Sequence, residues 1–324
     1  MKRFAWTVIA LWAIGITAGL VYTSQQNIPG WITAAAIPAL LVEASLYIAS
    51  GFPDIRQRFA AIGNPSRQGL LLWILALPPY VIYTVGTGSF QPSDFATLAV
   101  LAGALAFWYV LRPRADAAYL TLIAAILLTG VFKQIYPQLA PKANVSILGQ
   151  LMLIRTSAFA ILCIRGLEEQ AGFGFLPTAA EWKAGLKQFA WFIPIGGAIA
   201  AAVQFATFRQ DLIWTRALPA FVATFIGMLW VVALSEELYF RGVLQPLLTK
   251  HLPQPRKWMG LVATSVLFGL VHLPFGTFPN WRFAIVAGVA GFFYGRAFEE
   301  TGTIRSAMVT HALVASIWRV FLKS

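Results

Sequence analysis

The apolar stretch Phe221-Val-Ala-Thr-Phe-Ile-Gly-Met-Leu-Trp-Val-Val-Ala-Leu234 runs on, with no turn signal, into Ser235-Glu236-Glu237-Leu238-Tyr239-Phe240-Arg241-Gly242. The block it belongs to, near 217–238, has the length of roughly 17–25 residues that crosses a hydrocarbon core as a helix. Backbone in lipid is satisfied only within helices or closed barrels, and an unbroken apolar run reads as helix rather than as an alternating barrel strand. Ionisable side chains at the end of such a run are costly at membrane depth and therefore point to function.

Comparable blocks lie outward on both sides, near 4–22, 31–52, 69–88, 95–111, 117–132, 145–164, 189–208, 259–276, 281–298 and 304–321. The expected fold class is all-α: a polytopic transmembrane helical bundle of about eleven spans, with its active site in the C-terminal helices. Composition agrees, with 59% of residues hydrophobic, 11% charged and a mean hydropathy of +0.71. Soluble domains carry about a quarter charged residues, so this chain cannot clothe a water-facing exterior.

The net charge of +12 is arranged as membrane topology arranges it and not as a nucleic-acid surface. With the N-terminus cytoplasmic, Lys and Arg concentrate in the segments that then fall inside, among them Arg56, Arg58, Arg112, Arg114, Lys183 and Lys187. The expectation is an integral multi-pass protein of the cell (inner) membrane, with the lipid bilayer as partner and no nucleic acid. Met1-Lys2-Arg3 precedes an apolar run that reaches Tyr22 without a small-x-small cleavage site, which reads as an uncleaved first span. The lone Cys163 excludes an internal disulfide or a thiolate metal cluster and reads as a small buried hydrophobe.

The longest polar interruption divides the chain into an N-terminal multi-span module (1–165), a cytoplasmic or interfacial connector (166–188) and a C-terminal domain (189–324). Within the connector, Glu181-Trp-Lys-Ala-Gly-Leu-Lys187 predicts a short amphipathic helix in the headgroup region. Pro38 and Pro78-Pro79 predict kinks inside the second and third spans. All three histidines, His251, His272 and His311, follow the connector.

Glu43, Arg155, Glu236, Glu237, His272 and His311 fall inside predicted spans, with Arg241 and His251 near the inner interface. On a continuous helix Glu237 and Arg241 are i and i+4 neighbours and pair. Glu236 points about 100° away and stays free to act on a water. His272 shares a helix face with Phe268, and His311 sits mid-span in Ser306-Ala-Met-Val-Thr-His311-Ala-Leu-Val-Ala315-Ser316. One free carboxylate and two imidazoles on three helices make a polar site in a bundle interior.

The chemistry that fits is hydrolysis. Glu236, with His272 on the same water, serves as general base and then general acid, and His311 donates to the oxyanion. No Ser-His-Asp order, Gly-x-Ser-x-Gly elbow or placed cysteine supports an acyl-enzyme, so direct water attack is preferred. Glu236, His272 and His311 equally compose a His₂Glu zinc set with an open fourth position. The metal-free reading, with no cofactor, is preferred, and a zinc metalloprotease is the alternative.

Glu236-Glu237-x-x-x-Arg241, then Phe268-x-x-x-His272, then His311 resemble the CAAX protease and bacteriocin-processing (CPBP) family of intramembrane endopeptidases, which includes the type II CAAX prenyl proteases. The resemblance covers residues 180–320 and leaves the first six blocks unexplained. It implies Glu236 as the water-activating glutamate, His272 as its partner, Glu237 with Arg241 as a supporting pair and His311 in the oxyanion stabiliser. It also implies a glutamate-dependent, metal-free mechanism on a membrane-associated protein or peptide. One position departs from the pattern: the family usually places Asn or Asp four residues after the last motif histidine, and here Ala315 stands there. Ser316 or Asn280 would have to supply the missing donor. Two other functions follow from particular residues: a catalytically inactive binding or immunity protein, from Ala315, and a transporter or proton relay, from Glu43, Arg155 and the proline-kinked spans.

Overall fold

A computed structural model of the chain describes residues 2–250 and 252–323; His251 lies outside the described residues. The chain is 78% helical, and the strands among the described residues are a two-residue antiparallel pair, Thr207–Phe208 with Leu322–Lys323. The all-α expectation holds. Helices Lys2–Gln25, Gly30–Ala49, Pro65–Gly86, Pro92–Leu111, Ile147–Ile164 and Trp214–Thr249 are the six, among the described residues, that are long and apolar enough to cross a membrane. Several other predicted blocks are helical but shorter or more charged. Asp116–Thr129 has 14 residues, and Trp281–Thr301 carries Arg282, Arg296, Glu299 and Glu300.

The chain divides into two compact units, Met1–Gly166 and Leu167–Ser324. The first contains α1 (Lys2–Gln25), α2 (Gly30–Ala49), α3 (Pro53–Ala60), α4 (Pro65–Ala76), α5 (Pro78–Gly86), α6 (Pro92–Leu111), α7 (Asp116–Thr129), α8 (Phe132–Ile135) and α9 (Ile147–Ile164). Asn64 caps α4 by accepting from the Arg67 amide at 3.1 Å.

Pro78-Pro79 separates α4 from α5 at Leu77, as the sequence predicts. Pro79 has no N–H, so the carbonyl of Leu75, four residues earlier, loses its helical donor. Arg155 of α9 fills that vacancy, donating from Nη2 to the Leu75 carbonyl at 2.7 Å. The same guanidinium grips Glu43 of α2 at both carboxylate oxygens, 2.5 and 3.1 Å, and both side chains are buried. The two costly ionisable groups of the first unit thus meet each other and a proline-broken backbone, which ties α2, α4 and α9 together.

The second unit contains α10 (Glu168–Ala171), α11 (Ala179–Ala202), α12 (Trp214–Thr249), α13 (Lys257–Leu270), α14 (Trp281–Thr301) and α15 (Ile304–Phe321). Segment 181–187 is not a short separate helix. It forms the first turns of the 24-residue α11. A capping box starts that helix: the Glu181 amide donates to the Thr178 hydroxyl and the Thr178 amide to the Glu181 carboxylate, at 3.4 and 2.6 Å. Glu181 also binds Arg305 at 2.7 Å and accepts from the Thr303 hydroxyl at 2.7 Å, fastening α11 to the start of α15. Gly302, at φ +68°, makes the left-handed turn that lets α15 fold straight back on α14. Helices α11, α14 and α15 pack mutually, α13 packs on α14, and α12 packs on α15.

Candidate active site

Helix α12 has 36 residues, about 54 Å at 1.5 Å per residue, well beyond an apolar core of about 30 Å. It is not uniform. Met228–Ala233 and Leu238–Leu244 are π-helical and enclose the α-helical tetrad Leu234–Glu237. A π turn closes i→i+5 instead of i→i+4, and such turns concentrate at functional sites. The Ser235 hydroxyl turns back to the Val231 and Val232 carbonyls at 2.9 and 3.0 Å, satisfying backbone groups inside this altered coil.

Glu237 and Arg241 pair as their spacing predicts. Both are fully buried, with Nε of Arg241 3.2 Å from Oε2 of Glu237 and Nη1 donating to Oε1 at 3.3 Å. The Nε contact is an ion pair without hydrogen-bond alignment. The guanidinium is held elsewhere as well. Nη2 donates to the Gly291 carbonyl of α14 at 2.6 Å, and the cation lies 4.8 Å from the Phe268 ring centroid and 5.4 Å from that of Tyr294. A β-carbon at Gly291 would sit 3.1 Å from Phe268 and 3.2 Å from Nη2, so the close approach uses the missing side chain.

His311 of α15 reaches the same carboxylate. Its Nδ1 lies 2.7 Å from Oε1 of Glu237, and since a carboxylate accepts, Nδ1 carries the proton. The ring stacks on Tyr294, centroids 4.5 Å apart and planes 11° from parallel. Nε2 then faces Glu236, 3.8 Å from Oε2. Glu237 is therefore a bridge between Arg241 and His311, while Glu236 keeps its buried Oε2 without a hydrogen-bond partner among the described residues. The Glu236 side chain is 30% exposed against 0% for Glu237. Adjacent carboxylates thus occupy different environments, one locked and one open.

His272 does not lie within a helix. Helix α13 ends at Leu270, and His272 sits in the turn that follows. Pro274 follows two residues later, and the residue before it, Leu273, is disfavoured in the α conformation. The histidine still pairs backward by one turn, its Nδ1 donating to the Phe268 carbonyl at 2.6 Å. A carbonyl only accepts, so Nδ1 holds the proton and a neutral ring presents Nε2 as an acceptor. The rings of Phe268 and Phe283 fix it from two sides, each 4.8 Å away between centroids.

Glu236, His272 and His311 line one cavity of about 790 Å³, together with Asn280, Ala315 and Trp318. Ala315 is on the wall, so the position that departs from the family pattern does face the site. Asn280 lines the cavity too, but its amide is committed: Oδ1 accepts from the Phe283 amide at 3.1 Å, capping α14, and Nδ2 donates to the Phe275 carbonyl at 2.9 Å. Ser316 is buried, its hydroxyl without a hydrogen-bond partner among the described residues, and it is not among the residues lining the cavity. Among the described residues no group of three or more His, Cys, Asp or Glu side chains stands close enough to hold a metal ion.

Glu43 and Arg155 belong to the first unit and to each other. Sequence reasoning missed Tyr294, Gly291 and Phe283, which support the site from α14. Their only sequence signal is a small-and-aromatic pattern in an apolar helix, which ordinary packing also produces.

Residues 218–317 match the family model of the Rce1-like type II CAAX prenyl endopeptidases. That segment, about a third of the chain, is similar to the CPBP/CAAX endopeptidase family. The matched segment contains Glu236, Glu237, Arg241, His272, Ala315 and His311. It supports a CAAX-protease-like hydrolase in a membrane. No curated protein and no solved structure matches the chain.

Proposed function

We propose that the chain is an intramembrane endopeptidase that hydrolyses a peptide bond of a membrane-associated protein or peptide by direct attack of a water. The observation that carries this reading is the asymmetry of the two acids. Glu237 is bound to Arg241 and His311, and Glu236 presents a buried oxygen, free of hydrogen-bond partners among the described residues, to a cavity shared with both histidines. A water on Glu236 loses its proton to that carboxylate as its oxygen attacks the scissile carbonyl. His272, its Nδ1 already donating, accepts from the same water at Nε2. The proton then passes from Glu236 to the departing amine, which leaves a carboxylic acid and a free amino group.

His311 stabilises the oxyanion only when both ring nitrogens carry protons, because Nδ1 is occupied by Glu237. Tyr294 beneath the ring keeps the imidazole in place. The supporting pair Glu237–Arg241 acts by fixing His311 and not by touching substrate.

The bundle would cross the membrane about eleven times, the shorter and more charged helices being shielded by their neighbours, with the N-terminus cytoplasmic in the cell (inner) membrane. Reconstituted full-length protein cleaving a membrane-anchored reporter peptide tests the function. Glu236→Ala should abolish cleavage and leave membrane expression and thermal unfolding unchanged. Retained cleavage would sink the proposal.

A further inference from the structure

In the first unit, helix α1 carries no buried residue and packs chiefly on α2. The two helices close up at Gly15 and Gly19, a small-xxx-small spacing that lets backbones approach. A β-carbon added there would lie 2.7 Å from Leu41 and 2.9 Å from Ile37. Nearer the N-terminus the Trp12 indole donates to the Ser45 hydroxyl at 2.8 Å. Beyond that contact the helices part, and a cavity of about 590 Å³ opens between α1, α2, α3, α4 and α9. Phe4, Val8 and Trp12 form one wall, and the buried Phe59, Leu72 and Phe159 form the floor. The Phe4 ring meets Phe52 edge-on at 5.2 Å between centroids, which brings Lys2 and Arg3 to the α3 end of the cavity, the end that Arg58 lines.

The occupant follows from where the cavity opens and from its charges. Its rim includes Trp12, Arg58, Ile62 and Leu71, all exposed, on a unit whose long helices are apolar enough to cross a membrane. Hydrocarbon, and not water, therefore meets the opening. The polar lining residues are Ser45, Arg155 and Arg58. The Ser45 hydroxyl is committed, donating to the Leu41 carbonyl at 2.7 Å while it accepts from Trp12. Arg155 is buried and already matched by Glu43, so an anion drawn to that depth would bring a second negative charge beside the carboxylate. The depth of the cavity suits a neutral chain. Its α3 end differs, because Lys2, Arg3 and Arg58 are exposed and carry no ion pair among the described residues. Arg56 on the same helix is turned inward to the Ser50 carbonyl at 2.6 Å, and the acid of that helix is Asp54. Three outward cations against one acid leave a positive end on an apolar cavity.

We propose that the wedge between α1 and α2 binds an anionic phospholipid, with one acyl chain along Phe4, Val8 and Trp12 and the phosphate at Lys2, Arg3 and Arg58. The chain leaves bilayer hydrocarbon for protein hydrocarbon, so its burial selects little among lipids. Selection comes from the headgroup charge, at about fivefold for each cation beside it. The bound chain supplies the packing that α1 lacks on this side and keeps water from the Glu43–Arg155 pair.

The test uses full-length protein in detergent, mixed with equal amounts of dioleoyl phosphatidylglycerol and dioleoyl phosphatidylcholine and read by native mass spectrometry. One phosphatidylglycerol should be retained in preference to phosphatidylcholine by at least about tenfold. Arg58→Gln should cut that preference by about fivefold, and adding Lys2→Gln and Arg3→Gln should erase it. Val8→Trp fills the cavity and should release both lipids, whereas Glu236→Ala, in the second unit, should bind as the parent does. Glycerol 3-phosphate, which has the anion and no chain, should not compete. A second measurement needs no variant: phosphatidylglycerol with a photoactivatable acyl chain should cross-link to peptides containing residues 4–12, 42–49 or 55–62. Equal retention of the two lipids, full competition by glycerol 3-phosphate, loss of binding in Glu236→Ala, or adducts confined to other segments would overturn the site.

Discussion

Oε1 of Glu237 and Nδ1 of His311 meet at 2.7 Å although 74 residues separate them in sequence. That single contact turns a local ion pair on α12 into a three-part assembly, Arg241–Glu237–His311, buried between helices. Each member is desolvated, so each depends on the other two.

Glu237→Ala leaves Arg241 charged and uncompensated in the interior, a loss of about 3–5 kcal/mol. The expected outcome is a large drop in the detergent melting temperature together with loss of cleavage. Glu236→Gln should leave the melting temperature unchanged while lowering turnover by about 10²–10⁴-fold. If both variants unfold alike, the division between a locked and an open carboxylate fails.

His311→Gln keeps a side chain that can reach Glu237 but cannot carry a second proton. Turnover should fall by about 10²–10³-fold, the range for removal of one oxyanion donor, with KM little changed. A rise in KM with kcat intact would place His311 in substrate binding instead.

In the first unit, Arg155→Met strands Glu43 in the interior and should destabilise by about 3–5 kcal/mol. The double variant Arg155→Met with Glu43→Leu removes both charges and should recover most of that loss, read as melting temperature in detergent. Adding Pro79→Ala restores an N–H facing the Leu75 carbonyl and should improve it further. A transporter role for this pair predicts something else, namely ion flux in liposomes that Glu43→Gln impairs.

Glu181 supplies a pH dependence. Burial pushes its carboxyl up, but hydrogen bonds from the Thr178 backbone and from the Thr303 and Thr178 hydroxyls, with the Arg305 charge, outweigh burial and hold it below the usual carboxylate range. A folded-state value below the unfolded one contributes stability above the unfolded glutamate value, about 4.3, and that contribution is lost as the pH falls through the folded value. The melting-temperature gap between the parent and Glu181→Gln should be constant near neutrality and shrink below about pH 4. A gap that widened on acidification would refute the assignment.

Where the sequence was legible, local spacing carried the information. Glu237 and Arg241 sit one turn apart, and Pro78-Pro79 breaks a helix wherever it lies. The turn holding His272 was written in Pro274, Gly276 and Pro279, but the surrounding apolarity made the segment look like an unbroken span. Hydropathy also does not separate a helix that faces lipid from one that packs inside a bundle, so the shorter and more charged helices read like the six long apolar ones. The bridge from Glu237 to His311, the stack on Tyr294 and the pairing of Glu43 with Arg155 are contacts between distant segments. No periodicity encodes them.

The π turns on either side of Leu234–Glu237 have one consequence for the inheritance of this site. Each holds one residue more than the α coil needs, so each is equivalent to a single-codon insertion that the helix has absorbed. Deleting one residue from Met228–Ala233 would let the coil relax to α and would swing Glu236 by about 100° relative to the helix before it. Such a chain could still fold and insert yet aim its glutamate away from the histidines. Reading frame within a helix, and not only residue identity, is then part of what makes the site.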